Sequence, residues 1–269
     1  MKWILGRAER ATLARFARRR LLVALDYDGT LAPIVAIPTR AAMRMRTRRA
    51  LRRVAACYPC VVISGRSRSD LLRRLRGLGL RQVIGNHGGE PSPRGRQVRA
   101  RVRRWRVALA RRLRGLAGVS IEDKGLSLAI HYRKSADPAR ARDGIGEAVS
   151  RLAHARSVGG NCVVNVVPQD APHKGTALDA ERLRLGCDAV LYVGDDETDE
   201  DVFTRPARWR LGIRVGRGAA SRARYYLRDQ AQLDDLLESL VRLREAKAPA
   251  GRSAPGQVAR ALVARGSVK

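Results

Sequence analysis

The sequence predicts an α/β fold, with a parallel core sheet and an inserted α+β cap domain. Five apolar runs are too short for helices and alternate with helical patterns, at 21–25, 60–63, 82–84, 189–193 and 211–215. This alternation is typical of a parallel sheet covered by helices on both faces. Between the third and the fourth of these runs, apolar and polar residues alternate instead. This different pattern indicates a sheet with one face exposed to water. We therefore expect a Rossmann-like core that is interrupted by a separate cap.

These patterns divide the chain into four parts. Residues 1–20 are interrupted by charges throughout and are predicted to form a basic N-terminal helix. The core is predicted at 21–92 and 171–245, on either side of the α+β cap at 93–170. Residues 246–269 are rich in Gly, Ser, Pro and Arg, and are predicted to be a mobile C-terminal tail.

Local signals place helices and strands inside these parts. Ser67-x-x-Asp70 is predicted to be a capping box at the start of a core helix. In the cap, the basic segment 98–116 and the segment 138–152 follow a helical pattern. The segment 126–131 alternates strictly and the valine-rich run 162–167 is apolar, so both are predicted to be cap strands.

The charge is large but is not arranged like a binding patch. The chain has 55 Lys and Arg against 25 Asp and Glu, a formal net charge of +30. Arginines occur in nearly every segment, and no stretch interleaves them with aromatic residues as nucleic-acid binding surfaces do. We expect no specific nucleic-acid partner. The sequence has no apolar run long enough for a membrane span and no secretory signal, which predicts a cytoplasmic protein without a membrane partner.

Two carboxylates follow the first buried strand, in Asp26-Tyr27-Asp28-Gly29-Thr30. A carboxylate can attack a phosphoryl group only if the charge repulsion between them is neutralised, which predicts a Mg²⁺ ion and a fixed cation nearby. Ser64, Lys174 and Asp195 come later in the chain. Ser64 and Asp195 also follow apolar strands, so they are expected to meet Asp26 at the carboxyl ends of a parallel sheet.

The order of the motifs along the chain and the residues within them resemble those of a known family. The segments that carry the resemblance are Val61-Val62-Ile63-Ser64-Gly65-Arg66, His173-Lys174-Gly175, Val193-Gly194-Asp195-Asp196-Glu197-Thr198-Asp199-Glu200, Gly85-Asn86-His87-Gly88-Gly89-Glu90 and Glu122-Asp123-Lys124-Gly125-Leu126-Ser127-Leu128-Ala129-Ile130-His131-Tyr132-Arg133. With the Asp26 motif they resemble the haloacid dehalogenase superfamily over residues 21–236, and within it the trehalose-6-phosphate phosphatase family.

The resemblance implies roles for the core residues. Asp26 would be the nucleophile that forms an aspartyl-phosphate, and Asp28 would protonate the leaving sugar oxygen and then activate water. Ser64 would bind a phosphate oxygen, and Lys174 would hold the nucleophile and phosphate charges together. Mg²⁺ would be bound by Asp26, by the backbone carbonyl of Asp28 and by Asp195. Asp196 and Asp199 would lie next to the metal ligands without binding the ion themselves, and Asp199 would orient a metal-bound water.

The resemblance also implies a set of residues that bind phosphate or substrate: Thr30, Gly65, Arg66, Asn86, His87, Glu122, Lys124, His131, Arg133 and Asn165. His131 could equally be a packed sheet residue. Asn165 departs from the family, which usually has a glutamate at this place in the second cap strand. An asparagine cannot form charge-assisted hydrogen bonds to sugar hydroxyls.

The function expected from the resemblance is Mg²⁺-dependent hydrolysis of trehalose 6-phosphate to trehalose and phosphate. Because of Asn165, another glycosyl phosphate, such as glucosylglycerol phosphate or sucrose phosphate, is a rival substrate. A hypothesis of another class is a polyanion-binding module on an inactive phosphatase scaffold, motivated by the charge. Functional pairing with a trehalose-6-phosphate synthase is a further expectation.

Overall fold

The computed structural model describes residues 1–35, 37–160 and 162–246. Within them the strands are, in chain order, β1 (Lys2–Trp3), β2 (Leu21–Leu25), β3 (Cys60–Ile63), β4 (Gln82–Ile84), β5 (Ser120–Asp123), β6 (Leu128–His131), β7 (Ala155–Gly160), β8 (Val163–Pro168), β9 (Ala189–Gly194), β10 (Arg210–Val215) and β11 (Tyr225–Leu227). The α-helices are α1 (Arg10–Ala17), α2 (Met45–Cys57), α3 (Arg68–Arg74), α4 (Gly95–Arg112), α5 (Pro138–Ser150), α6 (Lys174–Arg184), α7 (Glu200–Phe203) and α8 (Gln232–Glu245).

The larger sheet is parallel and has the strand order β1-β11-β10-β9-β2-β3-β4. Its interior strand β2 is buried along its whole length, because helices cover both faces. On one face, apolar residues of α1, α2 and α8, such as Phe16, Leu51 and Leu237, pack on the sheet. On the other face, α6 and α7 supply Leu178 and Phe203. This arrangement confirms the predicted Rossmann-like core.

The smaller sheet is antiparallel, with the order β5-β6-β8-β7. Its apolar face packs on α4 and α5, where Trp105 and Ile145 meet Leu128, Ile130 and Val166. The other face turns away from these helices. A helix-covered antiparallel sheet is an α+β unit, so the predicted fold class, a parallel core with a separate α+β cap, is confirmed.

Several elements differ from those predicted. The N-terminal segment is not only a helix, because β1 first pairs with β11 as an edge strand before α1 begins. Ser67 does cap α3 by accepting from the N–H of Asp70, but the Asp70 side chain binds arginines instead of completing the box. The edge strands β5 and β7 of the cap were not predicted, since their residues are polar, small or half-exposed.

The strands of the larger sheet lie in the two predicted core segments or before them, and those of the smaller sheet lie in the predicted cap segment. The domain boundaries themselves stay predictions. The C-terminal tail was predicted at 246–269. Ala246 lies at the end of α8, and the other residues of the tail, 247–269, are outside the described part of the chain. Among the helices that the structure describes, none has the length and apolar character that a membrane span requires.

Candidate active site

Three polar residues meet at the carboxyl ends of neighbouring strands. Asp26 follows β2, Ser64 follows β3 and Asp195 follows β9. Because β2 lies between β3 and β9 and all three run in the same direction, the residues after their last positions share one edge of the sheet. The expected crevice is present in the fold.

A buried lysine faces the first of these carboxylates. Lys174 Nζ lies 3.2 Å from Asp26 Oδ1 and 2.7 Å from Asp199 Oδ1, and the lysine side chain is 1% exposed. Lys174 is the first residue of α6, and the ring Nδ1 of His173 accepts hydrogen bonds from the next two backbone N–H groups. This cap fixes where the helix begins, and therefore the direction in which Lys174 enters the site.

The loop after β9, residues 195–199, is called the acidic loop and is organised around Asp199. Its Oδ2 accepts from the backbone N–H groups of Asp195 and Asp196 at 2.8 and 3.0 Å. Its Oδ1 accepts from the hydroxyl of Tyr192 at 2.5 Å and from Lys174 at 2.7 Å. Both oxygens are thus fully used inside the protein. Asp199 shapes the loop and positions Lys174, whereas its predicted role toward a metal-bound water stays a prediction.

The turn after β2 approaches the same loop closely. Thr30 donates from its hydroxyl to Asp195 Oδ1 at 3.2 Å. Gly29 has a φ of +76°, and a Cβ atom at this position would lie 1.9 Å from Asp195 Oδ2. Only glycine permits both the backbone conformation and the approach. Asp196, also in the loop, accepts from the N–H and hydroxyl of Thr198, both at 2.7 Å.

The site holds more negative than positive charge. Burial raises the pKa of Asp26 well above its ordinary value, against Lys174, and the carboxylates of Asp199 and Asp195 add to the increase. Burial, Asp199 and Asp196 raise the pKa of Asp195 to about 7. Burial opposes the charge of Lys174, yet Asp199 and Asp26 hold its pKa well above the usual range. All three shifts indicate an excess of carboxylates that an additional cation would relieve.

The oxygen atoms for such a cation are present. Carboxylate oxygens of Asp26, Asp195 and Asp199 lie within 4.8 Å of one another. Because both oxygens of Asp199 already accept from protein donors, Asp26 and Asp195 are the two that can bind a cation directly. Asp26 Oδ1 is buried and lies near Lys174, but no group forms a hydrogen bond to it among the described residues. Carboxylate oxygens are the ligands that hard divalent cations prefer. The residues present therefore fit a Mg²⁺ ion.

Asp28 is held by Arg66. The guanidinium donates from Nε and Nη2 to the two oxygens of Asp28, both at 2.7 Å. Its Nη1 donates to Asp70 at 2.9 Å, and Asp70 in turn accepts from Arg74. Bidentate pairs of this kind are strong and directional. In this arrangement both oxygens of Asp28 are engaged by a residue of the turn after β3.

A strained turn after β4 lies against the turn after β3. Asn86 and His87 have φ values of 50° and 57°, in the left-handed region that residues other than glycine rarely adopt. The backbone N–H of His87 donates to the carbonyl of Ser64 at 3.0 Å. A Cβ on Gly65 would lie 2.4 Å from the imidazole, so the ring packs directly on bare backbone. Such strain is typical of a position with a functional constraint.

The imidazole of His87 is buried, with the side chain of Asn165 beside it. His87 is 7% exposed, and neither ring nitrogen forms a hydrogen bond with the described residues. Burial, together with the charges of Lys124 and Lys174, lowers its pKa to about 3. The ring is therefore neutral and keeps one unused donor and one unused acceptor, as a sugar hydroxyl would require.

The cap reaches this region through Lys124. Its Nζ donates to the carbonyl of Gly65 at 3.2 Å and to Oδ1 of Asn165 at 3.3 Å. Asn86 donates to the carbonyl of Lys124 at 3.4 Å, and the hydroxyl of Ser127 donates to Asn86 Oδ1. The cap and the core are thus joined at the turns that carry the predicted substrate residues.

The remaining predicted cap residues lie further out. His131 and Glu122 pair with each other at 2.8 Å across β5 and β6, and both are partly exposed. This hydrogen bond, followed by the charges of Lys124 and Arg66, lowers the pKa of Glu122. Arg133, which the resemblance places among the substrate-binding residues, lies exposed in the turn after β6, which ends at His131. Its role stays a prediction.

Sequence reasoning missed three residues that hold the site together. Tyr192 supplies a donor to Asp199, and its only signal is a hydroxyl within an otherwise aliphatic strand. Ser127, in the bend just before β6, donates from its hydroxyl to Asn86 Oδ1. Asp70 anchors Arg66 from α3. None of these contacts has a signature in local sequence, because each partner is distant in the chain.

Comparison with known proteins agrees with this geometry. The sequence pattern of the trehalose-phosphatase family matches residues 24–229. A probable trehalose-phosphate phosphatase of Oryza sativa subsp. japonica is 32% identical over 279 residues, covering 88% of this chain and 74% of that protein. A trehalose 6-phosphate phosphatase of Zea mays is 28% identical over 268 residues, with 88% and 74% covered.

A relative of a different length is an uncharacterized glycosyl hydrolase of Mycobacterium tuberculosis, 39% identical over 216 residues. The match covers 73% of this chain but 16% of that protein, so the chain spans about a sixth of the relative's length. Among solved structures, the C-terminal domain of Candida albicans trehalose-6-phosphate phosphatase has a TM-score of 0.72 at 22% identity, covering 87% of this chain and 97% of that one.

The structural match supports the fold, and the sequence matches support more than the fold. The family pattern covers well over half of the chain, and it includes the strands and turns that carry Asp26, Ser64, Lys174 and Asp195. The sequence identity of 32% to the rice relative, over most of both chains, is high enough to show membership of the same family. The chain therefore belongs to the trehalose-phosphatase family.

Proposed function

We propose that the protein hydrolyses trehalose 6-phosphate to trehalose and phosphate, with Mg²⁺, through an aspartyl-phosphate on Asp26. The observation that carries the proposal is the buried Lys174, whose ammonium lies between Asp26 and Asp199 at the edge of the sheet where Asp195 also lies. A carboxylate nucleophile needs such a fixed cation to approach a phosphate. The contact between this buried ammonium and the Asp26 carboxylate disfavours the rival hypothesis of an inactive scaffold.

Mg²⁺ would be held by a carboxylate oxygen of Asp26, the backbone carbonyl of Asp28 and the carboxylate of Asp195. Asp26 Oδ1, buried without a hydrogen bond, and the raised pKa of Asp195 both support this assignment. When bound, the ion would neutralise part of the phosphate charge and polarise the phosphoryl group. Thr30 would then act by holding Asp195 in place, and Asp196 and Asp199 by ordering the loop.

In the first step, a carboxylate oxygen of Asp26 attacks phosphorus, and the bond from phosphorus to the sugar oxygen breaks. The leaving oxygen takes a proton from Asp28, so that trehalose departs as a neutral alcohol. Asp28 cannot donate this proton while Arg66 donates to both of its oxygens. Arg66 must therefore release Asp28, and the arriving phosphate, a bidentate acceptor, offers the guanidinium an alternative partner.

In the second step, water attacks the phosphorus of the aspartyl-phosphate, and Asp28 takes a proton from that water. The bond from phosphorus to Asp26 breaks and phosphate leaves. Lys174 stays beside Asp26 throughout and stabilises the charge that returns to its carboxylate. Ser64 and the Gly65 N–H would bind phosphate oxygens, as their position after β3 allows.

The cap would select the sugar. Lys124 and Asn165 are joined by a hydrogen bond, and Lys124 also contacts the Gly65 carbonyl in the core. Sugar hydroxyls that enter between cap and core would meet these side chains, the free imidazole of His87 and the Glu122 carboxylate. The neutral Asn165 binds hydroxyls less strongly than a carboxylate would. This observation favours a second candidate substrate class, another glycosyl phosphate.

The experiment that tests the proposal compares phosphate release from trehalose 6-phosphate, sucrose 6-phosphate and glucosylglycerol phosphate, with Mg²⁺ and after its removal by chelation. Selective, Mg²⁺-dependent turnover of trehalose 6-phosphate is expected. A lower KM for this substrate in Asn165→Glu would assign that position to sugar binding. A preference of the wild type for another sugar phosphate would move the function to the second candidate. Pairing with a synthase and a cytoplasmic location remain predictions.

A further inference from the structure

A second cavity lies at the opposite end of the core sheet from Asp26. It has a volume of about 790 Å³ and is bounded by α1, by α7 with the segment that follows it, and by the residues that lead into β11. The catalytic crevice opens at the carboxyl ends of the strands, whereas this cavity adjoins the amino ends of β10 and β11. The proposed reaction does not use it.

The walls of the cavity are rich in arginine and include no acidic residue. Seven of its seventeen lining residues are arginines, and neither Asp nor Glu is among them. For comparison, Lys and Arg together make up 55 of the 269 residues of the chain. The concentration of charge in the cavity is therefore about twice that of the chain as a whole. The lining arginines are Arg15, Arg19, Arg205, Arg208, Arg210, Arg222 and Arg224.

Part of this charge is fixed as a rigid wall. Arg210 is 4% exposed, pairs with Asp179 and donates to the carbonyls of Val202 and Arg205. Its Nε is buried and has no acceptor among the residues that the structure describes. The stacking of Arg210 on the Trp209 ring, 4.6 Å from the ring centroid, holds the guanidinium in place. A guanidinium fixed in this way contributes positive potential without losing side-chain entropy when an anion binds.

Another part of the charge is uncompensated. The side chains of Arg208 and Arg222 form no hydrogen bond or ion pair with any residue that the structure describes, and they come from two separate segments. Some exposed arginines elsewhere, such as Arg46 and Arg53, reach carboxylates. Arg208 and Arg222 do not, and they line a common cavity. Arginines that share a cavity without a counter-charge repel one another, and a bound anion would remove that repulsion.

We propose that this cavity is an effector site for a small molecule that carries several phosphate groups. Guanidinium groups bind phosphate through paired N–H donors, and several of them here face one space. The volume is that of a site for a whole small molecule and exceeds what a single phosphate ion needs. The aromatic residues of the walls, Phe16, Phe203 and Tyr225, are buried and already contact Arg15, Tyr192 and Arg224, so phosphates provide the recognition.

The cavity borders on the element that carries the acidic loop. Val202 and Phe203 of its wall belong to α7, which begins directly after Asp199. Glu200, the first residue of α7, accepts from the backbone N–H of Arg222 at 2.9 Å. An anion that draws Arg208 and Arg222 together would therefore act on the segment that holds Asp195 and Asp199, and we expect it to change the mobility of that segment.

Calorimetric titration of the full chain with tripolyphosphate tests the binding step. The arginine pair of the cavity is changed in Arg208→Gln/Arg222→Gln, and the matched control Arg49→Gln/Arg52→Gln removes the same charge from exposed positions of α2. Saturable binding is expected, weakened about tenfold or more in the first variant, because charge-assisted hydrogen bonds are lost. The control should bind like the wild type, and this comparison separates the cavity from the catalytic crevice.

Hydrogen exchange of the backbone amides in 195–203, with and without tripolyphosphate, tests the coupling without requiring catalysis. Slower exchange is expected in the wild type and in the control, and not in Arg208→Gln/Arg222→Gln. The proposal is overturned if binding is not saturable, if both double variants bind equally, or if exchange does not change. Tight binding of a random oligonucleotide through the same arginines, in place of tripolyphosphate, would assign this surface to nucleic acid and also overturn it.

Discussion

Tyr192 is the residue that links the core sheet to the acidic loop. Its hydroxyl donates to Asp199 Oδ1 at 2.5 Å, and the same oxygen accepts from Lys174. We expect Tyr192→Phe to lower the free energy of unfolding by about 1–3 kcal/mol, because a buried carboxylate loses a donor. It should also reduce turnover, since Asp199 positions the lysine. Urea denaturation and steady-state kinetics measure the two effects.

Tyr58→Phe is the matched control for this variant. The Tyr58 hydroxyl is also buried, near the carbonyls of Ala17 and Leu240 at 3.1 and 3.0 Å, far from the acidic loop. It should lose stability without losing turnover. If both variants change kcat equally, or neither does, Tyr192 has no positioning role.

Asp28 is the residue whose proposed role depends most on the leaving group. For trehalose 6-phosphate, Asp28→Asn should lower kcat about 10²–10⁴-fold, which is the usual contribution of a general acid–base group. For p-nitrophenyl phosphate, whose leaving group needs no proton, the first step should persist. A burst of nitrophenol followed by slow turnover is then expected in stopped-flow kinetics. Equal losses for both substrates without a burst would argue against acid–base catalysis by Asp28.

His87 provides a prediction on pH. Its pKa is lowered to about 3 in the folded protein by burial, Lys124 and Lys174, against the weaker opposing effect of Asp196. The unfolded chain, with an ordinary pKa of about 6.5, binds the proton more readily, so folding is favoured above that pH. As the pH falls below about 6.5, the need to keep His87 neutral lowers the free energy of unfolding by about 1.4 kcal/mol per pH unit.

The matched variant is His87→Asn, because asparagine tolerates the φ of 57° without carrying a titratable group. The difference in unfolding free energy between wild type and variant, measured at pH 7 and pH 5, should shift by about 1–2 kcal/mol in favour of the variant. Parallel stability curves would show that His87 is not held neutral.

At the scale of elements, the start of α6 controls the site. His173 accepts from the N–H groups of Gly175 and Thr176, and Thr176 completes a reciprocal cap. His173→Ala should cost about 0.5–2 kcal/mol of stability, as the loss of an N-cap does. Turnover should fall with it, because Lys174 is the next residue. His173→Ser, which retains a capping oxygen, should recover most of both losses in thermal unfolding and kinetic measurements.

The core elements could be predicted from the sequence because their signal is local. Strands β2, β3 and β9 are uninterrupted apolar runs, since both faces of a parallel sheet are covered. The residues after them, Asp26, Ser64 and Asp195, follow from the same rule. The edge strands β1, β5 and β7 could not be found in this way, because their pairing depends on a neighbouring strand more than on their own hydrophobicity.

Contacts between elements were beyond prediction for a related reason. The pairing of Arg66 with Asp28 joins the turns after β3 and β2, and the contacts of Lys124 join the cap to the core. Such contacts depend on how the layers pack against each other. Local sequence patterns carry no information about this packing.

At the scale of the whole molecule, the cap is closed on the core. Lys124 contacts the Gly65 carbonyl, and Ser127 contacts Asn86. On the other side of the cap, a Cβ on Gly159 would lie 2.7 Å from Oε2 of Glu197, so β7 approaches the acidic loop as well. Closure of this kind excludes bulk water from a reactive intermediate. The closed cap is therefore consistent with an aspartyl-phosphate that is hydrolysed only by a positioned water.

The high positive charge of the molecule is distributed rather than gathered at the catalytic site. Many arginines pair with carboxylates or stack on aromatic rings, as Arg182 does over Trp209 at 4.3 Å. Arg208 and Arg222 lack such partners among the described residues and also line one cavity with five other arginines, which motivates an effector site. The same net charge thus has different consequences at different places on the surface.

The central claim is that Asp26 carries the phosphoryl group, and acid quenching followed by mass spectrometry tests it most directly. Asp28→Asn is mixed with p-nitrophenyl phosphate and Mg²⁺, quenched within the burst and digested. The account predicts a phosphoryl group on the peptide that contains Asp26, absent without Mg²⁺ and absent in Asp26→Asn. Mg²⁺-dependent turnover that persists in Asp26→Asn, or a phosphoryl group on another residue, would contradict it.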